Sequence, residues 1–178
     1  NVNIINALSI NLLNTKNYEN LESHVNKFIN KQENYITFYL KGYCLSRINK
    51  ISESEPFLRK SIKLNKNFWQ SYELLLKQFE KKSRLEDLST LILNAKKNFK
   101  NNHLLSYYES LYFYRVGEYK KSLKILNKED IYNKFLLEEN KVPLSDYYHL
   151  LSKVYERLNL FKESYNYAIE RNKVILNF

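Results

Sequence analysis

The residues that could carry out metal or nucleophilic chemistry are few and scattered along the chain. The 178 residues include one cysteine, Cys44, and three histidines, His24, His103 and His149. A metal site needs three or four converging ligands, and no spacing such as His-Glu-x-x-His occurs. Cys44 follows Tyr43 in a predicted helix and is predicted to be a small buried hydrophobe, not a nucleophile. The sequence therefore predicts no metal site and no cofactor.

Neither the acid pairs nor the glycines match a catalytic motif. The neighbours Glu129-Asp130 and Glu138-Glu139 would point about 100° apart on a helix, so the two carboxylates of a pair cannot act on one substrate. The chain has only two glycines, Gly42 and Gly117, too few for a glycine-rich phosphate loop. We predict that this protein is not an enzyme.

The chain is basic, with 29 Lys and Arg against 19 Asp and Glu and a net charge of +10. Lysine is over-used together with other residues that have AT-rich codons, which favours codon bias and a solvated lysine face as the origin of this charge. One cysteine allows no intramolecular disulfide, and no apolar run is long enough to span a bilayer. These features predict a cytoplasmic protein.

A repeated pattern sets the predicted architecture. Short polar turns followed by a large apolar residue recur along the chain, and the positions seven residues before them are Ser9, Gly42, Leu76, Ser110 and Ser152. The intervals are 33, 34, 34 and 42 residues. After each turn, apolar or small residues continue at steps of three and four, which places them on one helical stripe. The period predicts stacked helix-turn-helix units.

These residues resemble the tetratricopeptide repeat (TPR) family, which has a small residue at position 8, an aromatic at 17 and a small residue at 20 of each unit. Gly42 and the segment 61–65 fit this pattern well, whereas Leu76 replaces the small residue at position 8. Sel1-like and pentatricopeptide arrays are poorer matches. The resemblance implies an all-α fold, a right-handed α-solenoid of about five stacked TPR-like repeats in a single domain. The predicted units are 2–34, 35–68, 69–102, 103–144 and 145–178.

The fourth unit contains an insertion at 127–146, predicted to be an extended loop or a longer helix. Pro143 lies in it and cannot continue a helix without losing a backbone hydrogen bond. Ser145 or Asp146 is therefore predicted to cap a helix running from Tyr147 to Arg157.

In the TPR family, ligands contact fixed positions on the first helix of each unit, which line a concave groove. Carried over to this chain, these positions put a cation at position 13 in four of the five units and tyrosines beside them. The resemblance implies a groove for a peptide or partner protein, and tyrosines with a row of cations suit an acidic peptide. The predicted partner-binding residues are Tyr39, Tyr43, Arg47, Glu73, Lys77, Lys81, Tyr107, Leu111, Tyr114, Arg115, His149, Lys153 and Arg157.

The favoured function is a non-catalytic protein-protein interaction scaffold. The residues that chaperone-tail adaptors of the family use to grip a carboxylate are missing at the matching positions. One alternative is an accessory region of a larger enzyme, since the last unit looks like the repeats that precede some bacterial sulfotransferase domains, and the lack of Met suggests a longer reading frame. Another is nucleic-acid binding through the runs at 81–84, 96–97 and 120–121.

Overall fold

The computed structural model describes residues 18–29, 34–137 and 142–176. Within these ranges the chain forms ten α-helices and no strand, so the predicted all-α class is confirmed. The helices belong to two compact units, Asn1–Ser83 and Arg84–Phe178.

The first unit contains four described helices, α1 (Tyr18–Ile29), α2 (Tyr35–Arg47), α3 (Ile51–Leu64) and α4 (Trp69–Lys81). Helix α2 begins after Asn34, whose side chain accepts a hydrogen bond of 2.9 Å from the backbone N–H of Ile36. This contact satisfies one of the donors that a helix N-terminus leaves without an intrahelical partner.

Buried hydroxyl groups connect three helices of the first unit. Ser54 on α3 donates to the Gly42 carbonyl on α2 at 2.6 Å and accepts from the Gln78 amide on α4 at 3.0 Å. A second relay runs from Ser71 on α4 to Ser61 on α3 at 2.8 Å. Ser61 in turn donates to a backbone carbonyl of α2 at 2.7 Å. Each hydroxyl is buried, and each is satisfied by a neighbouring helix, which fixes the register of the three helices.

Gly42 sets the distance between α2 and α3. A Cβ atom at this position would lie 2.7 Å from Cγ of Leu58 and 3.2 Å from the Ser54 carbonyl oxygen. Leu58 is fully buried, so its side chain has little room to move. The helix pair therefore depends on the missing side chain at position 42.

The second unit contains six described helices. They are α5 (Leu85–Lys96), α6 (His103–Arg115), α7 (Tyr119–Leu126), α8 (Glu129–Leu137), α9 (Val142–Arg157) and α10 (Phe161–Leu176). Helices α6 and α7 meet through the hydroxyls of Ser110 and Ser122, 2.8 Å apart and both fully buried. Helices α9 and α10 meet through Ser152 and Ser164, whose hydroxyls are 3.3 Å apart.

Left-handed residues mark the turns that follow α2, α4, α6 and α9. Positive φ angles occur at Asn49 (65°), Ser83 (54°), Gly117 (82°) and Asn159 (60°). The N–H of the residue after Asn49, Gly117 and Asn159 bonds the carbonyl five residues back, the pattern by which a left-handed residue closes a helix end. The four residues with positive φ, Ser83 included, follow one another at intervals of 34, 34 and 42 positions, so the sequence period corresponds to a repeated turn geometry.

In the predicted insertion at 127–146, the structure corrects one prediction, the start of the following helix at Tyr147. The segment contains helix α8, in which Ile131 and Phe135 are spaced to bury their side chains on one face. The next helix begins at Val142, and neither Ser145 nor Asp146 caps it. Pro143 is its second residue, a position in the first turn where a missing N–H breaks no helical hydrogen bond. The acid pair Glu138-Glu139 lies outside the described residues.

Replacing Gly42 by alanine is expected to lower the free energy of unfolding by about 1 to 3 kcal/mol, because the new methyl group overpacks against Leu58. Ser46→Ala is the matched control, since Ser46 lies one turn further along α2 and gains helix propensity without a clash. Urea denaturation of both variants measures the difference. Equal stability of the two variants would contradict the close-approach interpretation of Gly42.

Candidate functional site

Four aromatic rings and an arginine form a continuous surface in the first unit, here called the aromatic patch: Tyr18, Tyr39, Tyr43, Phe68 and Arg47. The ring centroids of Tyr18 and Tyr43 are 6.1 Å apart, those of Tyr43 and Tyr39 6.0 Å, and those of Tyr39 and Phe68 5.1 Å. Helices α1 and α2 and the turn before α4 all contribute rings. Edge-to-face and tilted contacts of this kind hold aromatic side chains in fixed positions.

Arg47 lies at one end of the aromatic patch. The central carbon of its guanidinium is 5.3 Å from the Tyr18 ring centroid and 5.7 Å from that of Tyr43. One guanidinium nitrogen donates to the Tyr18 hydroxyl at 3.2 Å, and this bond, with the nearby Tyr43, raises the pKa of Arg47 above its ordinary value. Arg47 is exposed, so it presents a permanently charged group at the surface.

Of the predicted residues of α4, Glu73 lies near this surface. Glu73 accepts a hydrogen bond of 2.6 Å from Lys77 one turn later. Burial raises the pKa of Tyr39 to about 12, with smaller contributions from Tyr43 and from the negative charge of Glu73. Glu73 is therefore close enough to Tyr39 to act on its ionisation, while Lys81 is exposed in the last turn of α4.

The predicted residues of α6 have mixed environments. Tyr107 packs against Tyr108 and Phe135 at centroid distances of 5.5 and 6.3 Å. Leu111 is only 8% exposed, so it contributes to the core and offers almost no surface to a partner. Tyr114 is half-buried against Tyr119 at 5.8 Å.

The predicted residues of α9 lie nearer the solvent. Lys153 donates to Glu156 at 2.9 Å, and a hydrogen bond with Tyr114 raises the pKa of the exposed Arg157. Partial burial, together with the cations Arg171 and Lys153, lowers the pKa of the His149 imidazole.

Most of the predicted cations are engaged by neighbouring side chains. Arg47 and Arg157 bond tyrosine hydroxyls, and Lys77 and Lys153 pair with glutamates. Arg115 is exposed at the end of α6. Tyrosine hydroxyls therefore hold two of the arginines, Arg47 and Arg157, in position. In a fully solvated row of cations, the arginine side chains would be mobile. That the thirteen residues act as one binding surface stays a prediction.

A cluster of five tyrosines in the second unit was not among the residues predicted from the sequence. Tyr132 comes from α8, Tyr147, Tyr148 and Tyr155 from α9, and Tyr167 from α10, and together they line one pocket. The spacing of the three tyrosines on α9 was a usable signal. The contribution of α8 was hidden because its segment was predicted to be an inserted loop or longer helix.

The described residues carry no sign of metal or thiol chemistry. Among them no group of three or more His, Cys, Asp or Glu residues is placed to hold a metal ion. Cys44 is fully buried in a core with Leu21, Val25 and Leu40, as predicted, and burial raises the pKa of its thiol to about 12. Within the same described ranges, none of the helices has both the length and the apolar character that a membrane span requires.

Comparisons with known proteins give structural matches and no sequence matches. No family model matches the chain, and no curated protein matches it. The solved structure of MamA 41-end from Desulfovibrio magneticus RS-1 is similar with a TM-score of 0.76 and 11% identity, covering 98% of this chain and 95% of that one. A MamA AMB-1 structure is similar with a TM-score of 0.70 and 8% identity, covering 98% of this chain and 99% of that one.

A structure titled APC/C hetero-tetramer Cut9-Hcn1 is also similar, with a TM-score of 0.57 and 17% identity over 96% of this chain and 39% of that one. MamA and the APC/C subunits have TPR-like folds. At these identities the comparisons show the fold alone, and they confirm the predicted class, an all-α helical-repeat fold of the TPR-like type.

Alkaline pH is expected to destabilise the protein through its buried thiol and phenols. An unfolded chain loses protons from cysteine and tyrosine from about pH 8.5 to 10, whereas Cys44 and Tyr39 keep theirs until about 12 when folded. Their contribution to stability is thus complete below the unfolded pKa values and is lost as the pH rises towards 12. Urea denaturation at a series of alkaline pH values measures the decline.

Tyr39→Phe should make this decline shallower, because one of the responsible groups is removed. Tyr165→Phe is the control, since Tyr165 is 67% exposed in the folded protein and the variant should keep the wild-type slope. Identical slopes for wild type and Tyr39→Phe would contradict the assignment.

Proposed function

We propose that this protein is a non-catalytic interaction module that binds an acidic segment of a partner protein on the aromatic patch of its first unit. The observation that carries this proposal is the position of Arg47 over Tyr18 and Tyr43, which leaves an exposed guanidinium beside fixed aromatic rings. Tyrosine and arginine are the residue types most enriched at the energetic centres of protein interfaces.

The rings of the aromatic patch supply contact area without large ordering costs. Tyr39 and Tyr43 are half-buried, so part of each ring is already fixed and part remains for a partner. A tyrosine has only two side-chain torsions to order, and here neighbouring rings restrict both before binding. The patch is therefore pre-organised, which lowers the entropy lost on binding.

The charges favour a partner with carboxylates. A guanidinium can donate two parallel N–H bonds to one carboxylate, which favours Asp or Glu over an isolated backbone carbonyl. The net charge of +10 adds long-range attraction for an acidic segment. Lys77 is already neutralised by Glu73, so Arg47 is the proposed specific contact on this surface.

The other predicted residues are proposed to contribute to partner binding to different extents. In the second unit, Tyr114 and Arg157 repeat the tyrosine-arginine pairing, with His149 and Lys153 on the same helix as Arg157. Leu111 has the smallest share because it is buried. Attachment to an enzyme, sulfotransferase-like or otherwise, is compatible with such a module and would add a catalytic domain to the same binding surface.

Selection of displayed random peptides on the whole chain tests the proposal. We expect acidic peptides to be enriched and Arg47→Glu to weaken a selected peptide by about tenfold or more, because an attractive contact becomes repulsive. Arg47→Lys should give an intermediate loss, since lysine keeps the charge without the planar stacking.

Arg59→Glu is the matched control. Arg59 also lies over an aromatic ring, 5.5 Å from the Phe79 centroid, and is exposed on α3. Enrichment of peptides without acidic residues, or equal weakening by Arg47→Glu and Arg59→Glu, would contradict the proposal. An RNA homopolymer that competes with the peptides in a strongly salt-dependent way would support nucleic-acid binding instead.

A further inference from the structure

The tyrosine pocket of the second unit has a volume of about 520 Å³. It is lined by Tyr132, Tyr147, Tyr148, Tyr155 and Tyr167, together with Leu126, Asn127, Glu129 and Glu170. This volume lies in the range of pockets that hold small molecules or a large side chain of a partner.

The five rings of the tyrosine pocket form a connected array. Tyr155 and Tyr167 stack with centroids 5.5 Å apart and planes at 10°, and Tyr167 lies 6.0 Å from Tyr148. Tyr132 is 6.3 Å from Tyr148 and 6.1 Å from Tyr147. Three helices thus present aromatic rings to one space.

The hydroxyl groups of these tyrosines fix the ring positions. Tyr147 donates to the Leu126 carbonyl at 2.7 Å, the Tyr132 and Tyr148 hydroxyls are 3.2 Å apart, and Tyr155 accepts from Asn127 at 3.2 Å. Burial is the largest cause that raises the pKa values of Tyr147 and Tyr148, so both phenols are neutral at physiological pH. The part of the pocket wall that the structure describes is therefore rigid, and its charged residues are Glu129 and Glu170.

The charge at the pocket is opposite to that of the whole protein. Two carboxylates, Glu129 and Glu170, line it, and no Lys, Arg or His is among the described residues that do so. One oxygen of Glu170 accepts from Lys173 at 2.6 Å on the exposed side of α10. The Lys173 ammonium offsets part of the Glu170 charge, and Glu129 is the second carboxylate that favours a cation at this pocket, in contrast to the acidic groups that the net charge of +10 attracts.

We propose that the tyrosine pocket binds an organic cation, an alkylated ammonium group, which packs against the half-buried rings of Tyr132, Tyr155 and Tyr167 and is attracted by Glu129 and Glu170. The negative faces of aromatic rings bind alkylated ammonium ions well, because such ions lose little hydration and their methyl groups pack against the rings. A hard metal ion would need several oxygen ligands at short range, and among the described residues two, Glu129 and Glu170, supply carboxylates to the pocket. This site is separate from the aromatic patch and does not depend on the proposed function.

Calorimetric titration of the whole chain tests this inference with choline and its neutral isostere 3,3-dimethylbutan-1-ol as probes. Choline is expected to bind with a Kd on the order of 1 mM, and the isostere at least about fivefold more weakly, because only choline carries a charge. Glu170→Gln should weaken choline by about threefold to tenfold while the shape of the pocket is kept.

Glu163→Gln is the matched control, an exposed acid on the same helix that does not line the pocket. Tyr155→Phe keeps the ring and should change choline binding less than Glu170→Gln does. Thermal melts verify that each variant folds. Equal affinities for choline and the isostere, equal effects of Glu170→Gln and Glu163→Gln, or no heat with choline up to about 50 mM would overturn the proposal.

A final pair of titrations distinguishes the sources of the ammonium group. A peptide with one trimethyllysine and its unmethylated counterpart are compared with free choline under the same conditions. Binding of the methylated peptide about tenfold tighter than choline identifies a partner side chain as the ligand. Choline binding equal to or tighter than that of the methylated peptide identifies a free small molecule.

Discussion

The close crossing of paired helices is the constraint on which both units of the structure depend. At Gly42 the approach leaves no space for a methyl group, and the Ser54 hydroxyl satisfies the carbonyl that the crossing buries. The pair Ser110 and Ser122 occupies the equivalent place in the second unit, with the same separation of twelve residues. A serine hydroxyl keeps the helices close and adds a hydrogen bond. Its burial would be costly without a partner, so the two residues of a crossing are energetically linked.

This crossing also decides which side chains are left for binding. When one face of a helix holds small residues that fit against its neighbour, the bulky residues on other faces must pack with whatever adjoins them or remain exposed. On α2, Gly42 and Cys44 are buried, while Tyr39 and Tyr43 are half-buried in the aromatic patch. The same helix thus supplies both the tight contact and the surface that we propose for the partner. Function on this scaffold comes from residues that its packing leaves available.

The two proposed sites have opposite charge preferences, which allows one small protein to recognise two kinds of ligand. Arg47 adds a cation to fixed tyrosines, whereas Glu129 and Glu170 add carboxylates to another set of tyrosines. The rings serve the same purpose in both places, since they give rigid contact area that tolerates either sign of charge nearby. In both proposals, the charged residues at the edge of each set of rings select the ligand. A high tyrosine content, 16 residues in all, is what makes two such surfaces possible.

Sequence spacing predicted the helical repeat, because a period follows from the pattern within each helix and turn. The burial of Cys44 was predicted from its residue type, and the place of Gly42 in the repeat from the resemblance to the TPR family. Only the tertiary structure showed that Arg47 bonds Tyr18, since 29 residues separate them. It likewise showed that the 127–146 segment contains a helix whose Tyr132 completes a pocket with α9 and α10. Local patterns determine which elements form. Contacts between side chains that are far apart in the sequence depend on how those elements pack, so the sequence alone does not determine them.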